Sequence, residues 1–515
     1  MAVHAEVWRS FYQDSMVLMR LAAELREHPG VRQAAALMGT PANRQLLADA
    51  GLAAPELRDT SAGDLMLVVD AETEAVAQAA LGSARTFFDR RKREREATGR
   101  VLPRTLDSAV RALPDANLAV VSVPGAHATL EAKSALRRGL HVFLFSDNVA
   151  LEDEVELKRF AASRGLLCMG PDCGTAYLGG VGLGFANMVP RGRVGCVAAS
   201  GTGLQAVASH LAALGEGISH GVGVGGRDLS EPIRGAMTKL GLELLVADPD
   251  THVIVIISKP PAPAVMAELE TIIRGIAKPV VVCCLGAGPG AGTAGHRVAT
   301  LEEAAEAAAA LARGTSWSPR AFTDTAVVRA RLARQAPDGR ARGRLLGLYT
   351  GGTLAHEARV LLEPLLGAIG SEAPTDPERI HRILDLGADE FTRGRPHPMI
   401  DPSERAARVR EAGARPEVSV LLVDLVLGRA VHPDPAGPLA AAVREARAAA
   451  GRDARSLAVV ASVVGTERDP QGLHAQIGTL EAAGVEVLPS NAQASRFAGL
   501  LVNPELGAAM LAGAR

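Results

Sequence analysis

Two short apolar strands in this chain each run into a tight glycine turn and then directly into a helix. The first copy reads VGCVAASGTGL over Val194–Leu204, and the second reads LLGLYTGGTL over Leu345–Leu354. Each turn offers backbone N–H groups and a hydroxyl at a helix N-terminus, where the helix dipole favours negative charge. Helix capping and close packing also select such residues, so one turn alone is weak evidence. Two turns in similar surroundings predict two related lobes that face one anion from both sides.

Apolar runs of strand length alternate with Ala-rich amphipathic stretches, which is the pattern of parallel βαβ units. Aromatic residues make up only 3% of the 515 residues, so small aliphatic side chains must build the cores, as suits helices packed on parallel sheets. The predicted strands are Glu6–Trp8, Val31–Leu37, Leu65–Val69, Ala119–Val123, His141–Phe145, Leu166–Met169, Val194–Ala198, Val253–Ile257, Val280–Leu285, Leu345–Tyr349, Ile383–Leu386, Ser419–Val426, Leu457–Val463 and Val485–Leu488. Leu301–Ala312 is predicted to be a helix that closes the first of two doubly wound units.

The composition excludes several classes of function. Lys and Arg total 55 against 57 Asp and Glu, a net charge of -2, and no basic stripe with aromatics indicates a nucleic-acid partner. No uncharged apolar run is long enough for a membrane span, and the N-terminus lacks a signal-peptide pattern, so we expect a cytoplasmic protein. The five cysteines have no metal-site spacing, so we expect reduced thiols and no metal.

Three loops concentrate ionisable groups. Arg227 follows Gly225 and Gly226 at a strand end, where it could clamp a carboxylate or form a surface salt bridge with Asp228 or Glu231. The loop GRPHPMIDP holds Arg395, His397 and Asp401 between prolines, which favours a site, although such a loop could instead dock on a neighbouring lobe. The segment GTERDP places Glu467 and Arg468 at the carboxyl end of a strand, where open α/β sheets bind ligands.

Two parts of the chain resemble succinyl-CoA synthetase. Residues 114–285 are similar to its α subunit, on the strings VSVPG, MGPDCGT, VGCVAASGT and GVGVGGRD. Residues 343–490 are similar to the C-terminal domain of its β subunit, on LYTGGTL, ILDLGAD, LLVDLVLG and VVASVVGTERDP. Over most of its length the chain is identified as a member of the FdrA family of fused succinyl-CoA-synthetase-like proteins, on FYQDS, MGTPANRQLL, FSDNVALEDEVELK and GRPHPMIDP.

The resemblance implies an α/β fold with a Rossmann-like, CoA-binding-type N-terminal domain and two flavodoxin-like succinyl-CoA-synthetase domains. The implied domains are residues 1–187 (Rossmann-like), 188–313 (flavodoxin-like, as in the α subunit), 314–342 (linker) and 343–515 (flavodoxin-like, as in the C-terminal domain of the β subunit). The expected catalytic residues are Lys259, Arg227, Arg395 and His397. The residues expected to bind phosphate or substrate are Ser200, Gly201, Thr202, Gly203, Gly225, Gly226, Thr350, Gly351, Gly352, Thr353, Asp401, Glu467 and Arg468.

Several parts of succinyl-CoA synthetase have no counterpart in the sequence. No stretch remains for an ATP-grasp domain, and Trp8–Arg20 has no glycine where that enzyme has a CoA-binding turn, leaving Gly125 as a candidate CoA contact. His296 stands at a plausible position for the phosphate-carrying histidine, but a loop histidine is the alternative, and Lys259 replaces the glutamate that would pair with it. A lysine there would hold a phosphate or a carboxylate.

These features predict an enzyme subunit that handles an acyl or carbamoyl phosphate, with phosphate or that acyl phosphate as substrate and further protein subunits as partners. FdrA resemblance implies an oxamate carbamoyltransferase complex in ureide catabolism, in which oxalurate and phosphate give carbamoyl phosphate and oxamate. The first alternative is an acyl-CoA synthetase that uses CoA, His296 and a separate nucleotide-binding ATP-grasp partner. The second is a non-catalytic subunit that binds CoA or a partner.

Overall fold

The computed structural model describes residues 2–13, 15–97, 103–287, 294–335, 343–371, 381–392, 396–452, 455–506 and 510–511. The chain divides into two compact units, one covering Met1–Asp115 and the other covering Ala116–Thr392 with His397–Arg515. Among the helices in the described ranges, none combines the length and the apolar character needed to cross a membrane.

The first unit is an antiparallel sheet with helices packed against it. Its elements are β1 (Ala2–Trp8), α1 (Ser15–Arg26), β2 (Val31–Met38), α2 (Pro41–Asp49), a 3-10 helix (Pro55–Leu57), β3 (Leu65–Ala71), α3 (Glu74–Ala97) and α4 (Leu106–Ala112). The sheet order is β1-β3-β2. The central strand β3 is apolar on both faces because Leu67 packs with one cluster of side chains and Val68 with another.

This unit differs from the Rossmann-like region expected over residues 1–187. Strand β1 pairs antiparallel with β3, with Ala2 opposite Ala71 and Trp8 opposite Leu65, whereas a Rossmann sheet is built from parallel strands. A short apolar run has the same appearance in both kinds of sheet, so the sequence did not reveal the direction of pairing. Trp8–Arg20, compared above with a CoA-binding turn, therefore begins in an antiparallel sheet.

Parallel pairing begins in the second unit with a small sheet. Its elements are β4 (Leu118–Val121), α5 (Gly125–Arg137), β5 (His141–Leu144), α6 (Leu151–Ala162) and β6 (Cys168–Met169), in the order β4-β5-β6. Val121 pairs in parallel with Leu144, and Phe143 with Met169. These three strands are the part of the expected N-terminal domain that has βαβ connections.

The next sheet has seven strands in the order β13-β12-β11-β9-β10-β7-β8. Its elements are β7 (Thr175–Leu178), β8 (Val181–Gly184), β9 (Val194–Ala198), α7 (Gly201–Ala213), β10 (Ile218–Gly223), α8 (Ala236–Ala247), β11 (Val253–Ser258), α9 (Pro263–Arg274), β12 (Val280–Cys284), β13 (His296–Val298) and α10 (Leu301–Arg313). Strands β9 to β13 are parallel, and the hairpin β7-β8 joins them antiparallel through β10.

A wholly parallel sheet of six strands follows, in the order β15-β16-β14-β17-β18-β19. Its elements are α11 (Thr325–Gln335), β14 (Arg344–Tyr349), α12 (Gly352–Leu366), β15 (Ile369–Gly370), β16 (His381–Asp385), α13 (Asp389–Thr392), α14 (Ser403–Ala414), β17 (Val418–Val426), α15 (Ala436–Arg452), β18 (Ala458–Val464), α16 (Leu473–Ala482), β19 (Glu486–Leu488), α17 (Asn491–Val502) and a 3-10 helix (Pro504–Leu506).

The segment expected to be a linker, residues 314–342, contains the helix α11 and packs on the six-stranded sheet. Phe322 and Val328 are buried, and Arg331 donates a 2.6 Å hydrogen bond to the carbonyl of Val487. Arginine side chains such as that of Arg331 add hydrogen bonds to this packing, and the sequence pattern of the segment did not reveal them. The described part of this segment is therefore a docked element.

The parallel strands of the two larger sheets confirm the predicted α/β class. The two sheets also share one hydrophobic core. One cluster of buried side chains includes Val255 of β11 and Val460 of β18. Residues 116–392 and 397–515 form a single unit, so the inner domain boundaries expected at residues 187 and 313 stay predictions. The five cysteines are all buried and free.

Candidate functional site

The first glycine turn joins β9 to α7. Ser200 is the N-cap of α7, and its Oγ accepts a 2.9 Å hydrogen bond from the N–H of Gly203. This bond is ordinary capping, and it assigns Ser200 and Gly203 a structural role. The N–H groups of Gly201 and Thr202 have no acceptor among the described residues. Two donors at the positive end of a helix of 13 residues are therefore open.

The second glycine turn, between β14 and α12, already holds a carboxylate of the protein. The N–H groups of Thr350 and Gly351 donate to Oδ1 and Oδ2 of Asp424, each at 2.8 Å, and the Thr350 hydroxyl lies 3.1 Å from both oxygens. Asp424 is fully buried and lies 3.2 Å from the guanidinium of Arg405, which is 3% exposed. Thr350 and Gly351 are thus not free to bind a phosphate as the sequence analysis expected.

Burial raises the pKa of Asp424, although Arg405 and the N–H groups of the turn oppose that shift. Burial likewise lowers the pKa of the Arg405 guanidinium. Each group is therefore expensive to bury alone, and the two are retained as a pair with several hydrogen bonds.

The structure brings the two turns into contact. The hydroxyls of Ser200 and Thr353 lie 2.5 Å apart, and a Cβ added to Gly351 would lie 3.0 Å from Cγ2 of Thr202. Both turns follow the strand at which the connections of their sheet change direction, β9 between β10 and β11 and β14 between β16 and β17. Such switch points at carboxyl ends of strands are where open α/β sheets bind ligands.

Asp385 and His397 lie beside the second turn. Oδ1 of Asp385 accepts a 3.0 Å hydrogen bond from Gly387, and a Cβ added to Gly352 would overlap Oδ2 of Asp385. A Cβ added to Gly387 would lie 2.7 Å from Nε2 of His397. Burial raises the pKa of Asp385, so its carboxyl takes up a proton more readily than an exposed one. Asp385 lies within ILDLGAD and was not among the expected site residues; its position at a strand end is the sequence signal that could have identified it.

His397 is a neutral side chain in this environment. Burial lowers its pKa to about 4, and its ring packs on Phe185 with centroids 5.6 Å apart. Its Nδ1 accepts a 3.2 Å hydrogen bond from the N–H of Met399, so the proton of the neutral ring is on Nε2. The other residue expected from this loop, Asp401, accepts a hydrogen bond from Ser403 at the start of α14. Arg395 lies outside the described residues.

Lys259 is exposed directly after β11. Its positive charge contributes to a lowered pKa of His356, for which burial is the main cause, and it opposes the raised pKa of Asp385. Strand β11 pairs with β9 so that Ile257 lies opposite Ala198, and this register places Lys259 at the same end of the sheet as the first turn.

Arg227, by contrast, is already paired within the protein. Its Nε lies 2.7 Å from a buried carboxylate oxygen of Glu154, and its NH2 donates to the carbonyl of Val149. The neighbouring Gly225 has a positive φ of 82°, which explains the glycine, while Gly226 stands in open space. We therefore correct the expected carboxylate clamp: the partner of Arg227 is Glu154, a residue too distant in the chain to be inferred locally.

In the segment GTERDP, the third charged residue, Asp469, has a structural role. Asp469 is buried and accepts hydrogen bonds from Asn187 and Met188, which follow the hairpin β7-β8. Glu467 is exposed and bonded to His474, whose N–H and ring lower its pKa. Arg468 is exposed as well. The geometry therefore gives no support to Glu467 and Arg468 as substrate ligands.

His296 lies away from the two turns. It is exposed on the edge strand β13 and pairs with Val281, near the amino end of β12, whereas the turns follow the carboxyl ends of strands. Its position does not support a phosphate carrier between the turns.

Two parts of the chain match models of known protein families. Residues 348–501 match the family model described as CoA-ligase, and residues 1–102 match a model described as the AllF heavy metal-associated domain. The succinate–CoA ligase [ADP-forming] α subunit of Methanothermobacter thermautotrophicus is 24% identical over 259 residues, which is 47% of this chain and 86% of that protein. Residues 348–501 are thus a CoA-ligase domain, and about half of the chain is similar to a succinate–CoA ligase α subunit.

One relative matches this chain over nearly the whole length of both proteins. The uncharacterized protein YahF of Escherichia coli K12 is 38% identical over 506 residues, covering 95% of this chain and 97% of YahF, and this chain belongs to the same family. Among solved structures, the apo dinucleotide-forming acetyl-coenzyme A synthetase 1 of Ca. Korarchaeum cryptofilum matches 78% of this chain and 86% of its own, at 18% identity and a TM-score of 0.33.

The heavy-metal model covers a segment without thiolate ligands, and the one contact expected for coenzyme A has a packing role. Soft heavy metals prefer thiolate ligands, and residues 1–102 contain no cysteine. For coenzyme A, the expected contact was Gly125 at the start of α5. A Cβ there would overlap the carbonyl oxygen of Asp147 and lie 2.6 Å from that of Asn148, so this glycine serves backbone packing. We derive no step through either group.

Proposed function

We propose that this chain is a subunit of an FdrA-type enzyme that moves an acyl or carbamoyl group to or from phosphate. In its specific form, oxalurate and phosphate give carbamoyl phosphate and oxamate, with further subunits completing the complex. The observation that carries the proposal is the pair of open N–H groups of Gly201 and Thr202, at a helix N-terminus beside Lys259. The histidine expected as a phosphate carrier, His296, lies on the edge strand β13, and the pKa of His397 is lowered to about 4, so neither supports a phosphohistidine at this turn.

In this proposal the first turn binds the phosphate. Gly201 and Thr202 donate their N–H groups to phosphate oxygens, and the dipole of α7 adds a favourable field. The hydroxyls of Ser200 and Thr353 face each other at 2.5 Å and can both turn toward a phosphate oxygen. Lys259 supplies the full positive charge that a dianion requires.

The second turn would handle the proton. Attack of a phosphate oxygen on the carbamoyl carbon forms a C–O bond and, as the C–N bond breaks, the leaving nitrogen takes the proton that phosphate brought. Asp385 suits this transfer because burial raises its pKa, so that it accepts a proton more readily than an exposed carboxylate and can return it. Backbone N–H groups and Lys259 would stabilise the tetrahedral oxyanion.

The second candidate is an acid–CoA ligase that works with a nucleotide-binding partner protein. It is favoured by the relatives, because the Methanothermobacter protein is named as part of a succinate–CoA ligase. It would require phosphate to pass through a histidine, for which the sequence analysis named His296.

Phosphate binding to the full-length chain tests the shared part of both candidates. We expect isothermal titration with inorganic phosphate to show binding that is lost in Lys259→Met. Lys239→Met is the matched control, because Lys239 pairs with Glu268 on the surface of α8. Equal binding by Lys259→Met and Lys239→Met would refute the anion site.

Catalysis by the reconstituted complex separates the candidates. The carbamoyl proposal predicts phosphate-dependent release of oxamate from oxalurate, unchanged in His296→Ala. Formation of an acyl-CoA that needs a nucleotide, together with a phosphorylated His296 and loss of activity in His296→Ala, would establish the ligase instead. Full turnover by Ser200→Ala and Lys259→Met variants would indicate a non-catalytic role.

A further inference from the structure

A cavity of about 220 Å³ lies between α7, α10 and the carboxyl ends of β18 and β19. None of the described residues that line it belongs to the anion site between the two turns. Its walls come from both larger sheets: Ala206 and His210 lie on α7, and Val464 and Leu488 are the last residues of β18 and β19. A site here would join the two lobes.

Two side chains that line this cavity, His210 and Glu302, form a donor set for a metal ion together with Glu306, one helical turn further along α10. His210 of α7 and Glu302 and Glu306 of α10 each offer a ligand atom, and these atoms lie within 4.8 Å of one another. Glu302 and Glu306 are one helical turn apart, so they share a face of α10, and α10 packs directly on α7. Nothing in the sequence around His210 predicts Glu302 as a neighbour, because the two residues are brought together only by the packing of α7 on α10.

The carboxylates are held in place by donors on their outer sides. Glu302 accepts hydrogen bonds from Ser490 at 2.8 Å and from Gln493 at 2.5 Å. Glu306 accepts from the indole N–H of Trp317 at 3.0 Å and from Arg320 at 2.6 Å. Each carboxylate oxygen accepts one of these bonds and keeps a further lone pair for an ion. Such outer donors orient metal-binding side chains.

Two buried hydroxyls on the cavity wall independently indicate a ligand. Ser209 is 6% exposed and Ser462 is 1% exposed, both line the cavity, and neither Oγ has a hydrogen-bond partner in the described part of the chain. A buried polar group without a partner costs about 1–3 kcal/mol, so native structures usually supply one as water or an ion. Water bound to a metal in this cavity would donate to both hydroxyls.

The buried negative charge around this cavity also favours binding of a cation. Glu302, Glu303 and Glu306 are all buried around the start of α10. Across the described residues, the cations paired with them are Arg320 at Glu306 and Arg496 at 3.8 Å from Glu303. Like charges in a buried region repel strongly, and a divalent ion offsets that repulsion.

We propose that His210, Glu302 and Glu306 bind a divalent first-row transition-metal ion whose water ligands contact Ser209 and Ser462. Imidazole with two carboxylates is a donor set that such ions accept. Because Glu302 is tied to Ser490 and Gln493 beside β19, the ion stabilises the packing of α7 and α10 against the second lobe. This site is independent of the proposed function.

Titration of the full-length, metal-free chain with Co²⁺ alone tests the proposal. We expect one equivalent to bind and give visible d–d absorption, and Zn²⁺ to displace it. His210→Ala and Glu302→Gln should weaken binding by about 10–100-fold. His252→Ala, which replaces an exposed histidine outside the cavity, should bind like the wild type.

Thermal unfolding measurements show whether each variant is folded. Co²⁺ should raise the midpoint of wild type and of His252→Ala and leave His210→Ala unchanged, provided that all three unfold cooperatively without metal. Absence of Co²⁺ and Zn²⁺ binding by the wild type would overturn the proposal. Equal affinity of His210→Ala and His252→Ala would overturn it as well, because the ion would then be bound elsewhere.

Discussion

Replacing Asp424 perturbs the second glycine turn at its centre. The carboxylate accepts the N–H groups of Thr350 and Gly351 and pairs with the buried guanidinium of Arg405. In Asp424→Asn the amide oxygen can still accept from the turn, but Arg405 loses its counter-charge. Leaving one partner of a buried ion pair alone costs about 3–5 kcal/mol. Because a domain is stable by only about 5–15 kcal/mol, the variant should lose a large share of its stability.

The two tryptophans allow the second unit to be followed separately. Trp8 lies in the first unit and Trp317 in the second, so the fluorescence of Trp317 in a Trp8→Phe background reports unfolding of the second unit in urea. Glu445→Gln is the matched control, because Glu445 and Arg410 form an exposed pair at 2.7 Å. Breaking that pair should cost less than about 1 kcal/mol.

A double variant distinguishes the ion pair from general damage to the turn. Arg405→Met alone leaves Asp424 charged and buried, whereas Asp424→Asn with Arg405→Met removes both charges. The double variant should therefore be more stable than the sum of the single effects predicts, by about 0.5–3 kcal/mol. The reasoning is refuted if Asp424→Asn is as stable as Glu445→Gln, or if the two single effects simply add.

The remaining predictions concern positions near the site. Burial lowers the pKa of His397 to about 4, so protonation favours the unfolded chain. The urea midpoint should therefore fall as the pH drops from about 6.5 toward 4. The fall should be smaller in His397→Gln. Gly125→Ala should cost about 1–3 kcal/mol because its Cβ overlaps Asp147, whereas Gly226→Ala, in open space, should not. Arg227→Met should leave phosphate binding by titration calorimetry unchanged, because its guanidinium is paired with Glu154.

Strands with a plain apolar pattern were predicted closely from the sequence. The strand predicted over Val194–Ala198 has the same bounds in the structure. Strand β10, ISHGVG, was implied by the strand end expected before Gly225 but was given no bounds, because its glycines and polar residues break the apolar run. Its Gly221 is needed where β10 crosses Tyr177 and Leu204, since a Cβ there would lie 3.0 Å from the tyrosine ring. The need for glycine at this position comes from tertiary packing, which cannot be predicted from the local periodicity of the sequence.

The site could be predicted only in part for the same reason. Glycine turns after apolar strands are local signals, and the sequence located both. Asp424 was included in a predicted apolar strand, although a carboxylate within a buried strand requires a partner. Its partners are set by the register of β17 beside β14, where Val423 pairs with Leu348. The sequence therefore identified donors in the second turn without showing that an internal acceptor had already taken them.

The two turns have similar sequences but opposite electrostatic states. Asp424 and Asp385 bring two carboxylates to the start of α12, so the positive end of that helix is already offset. The start of α7 keeps two open N–H groups, with Lys259 on the neighbouring strand end. An anionic group is therefore drawn to the first turn and repelled by the second, whose carboxylates instead accept N–H groups or protons. A substrate with an anionic end and an amide end satisfies both turns at once, and we infer that the pair orients such a molecule.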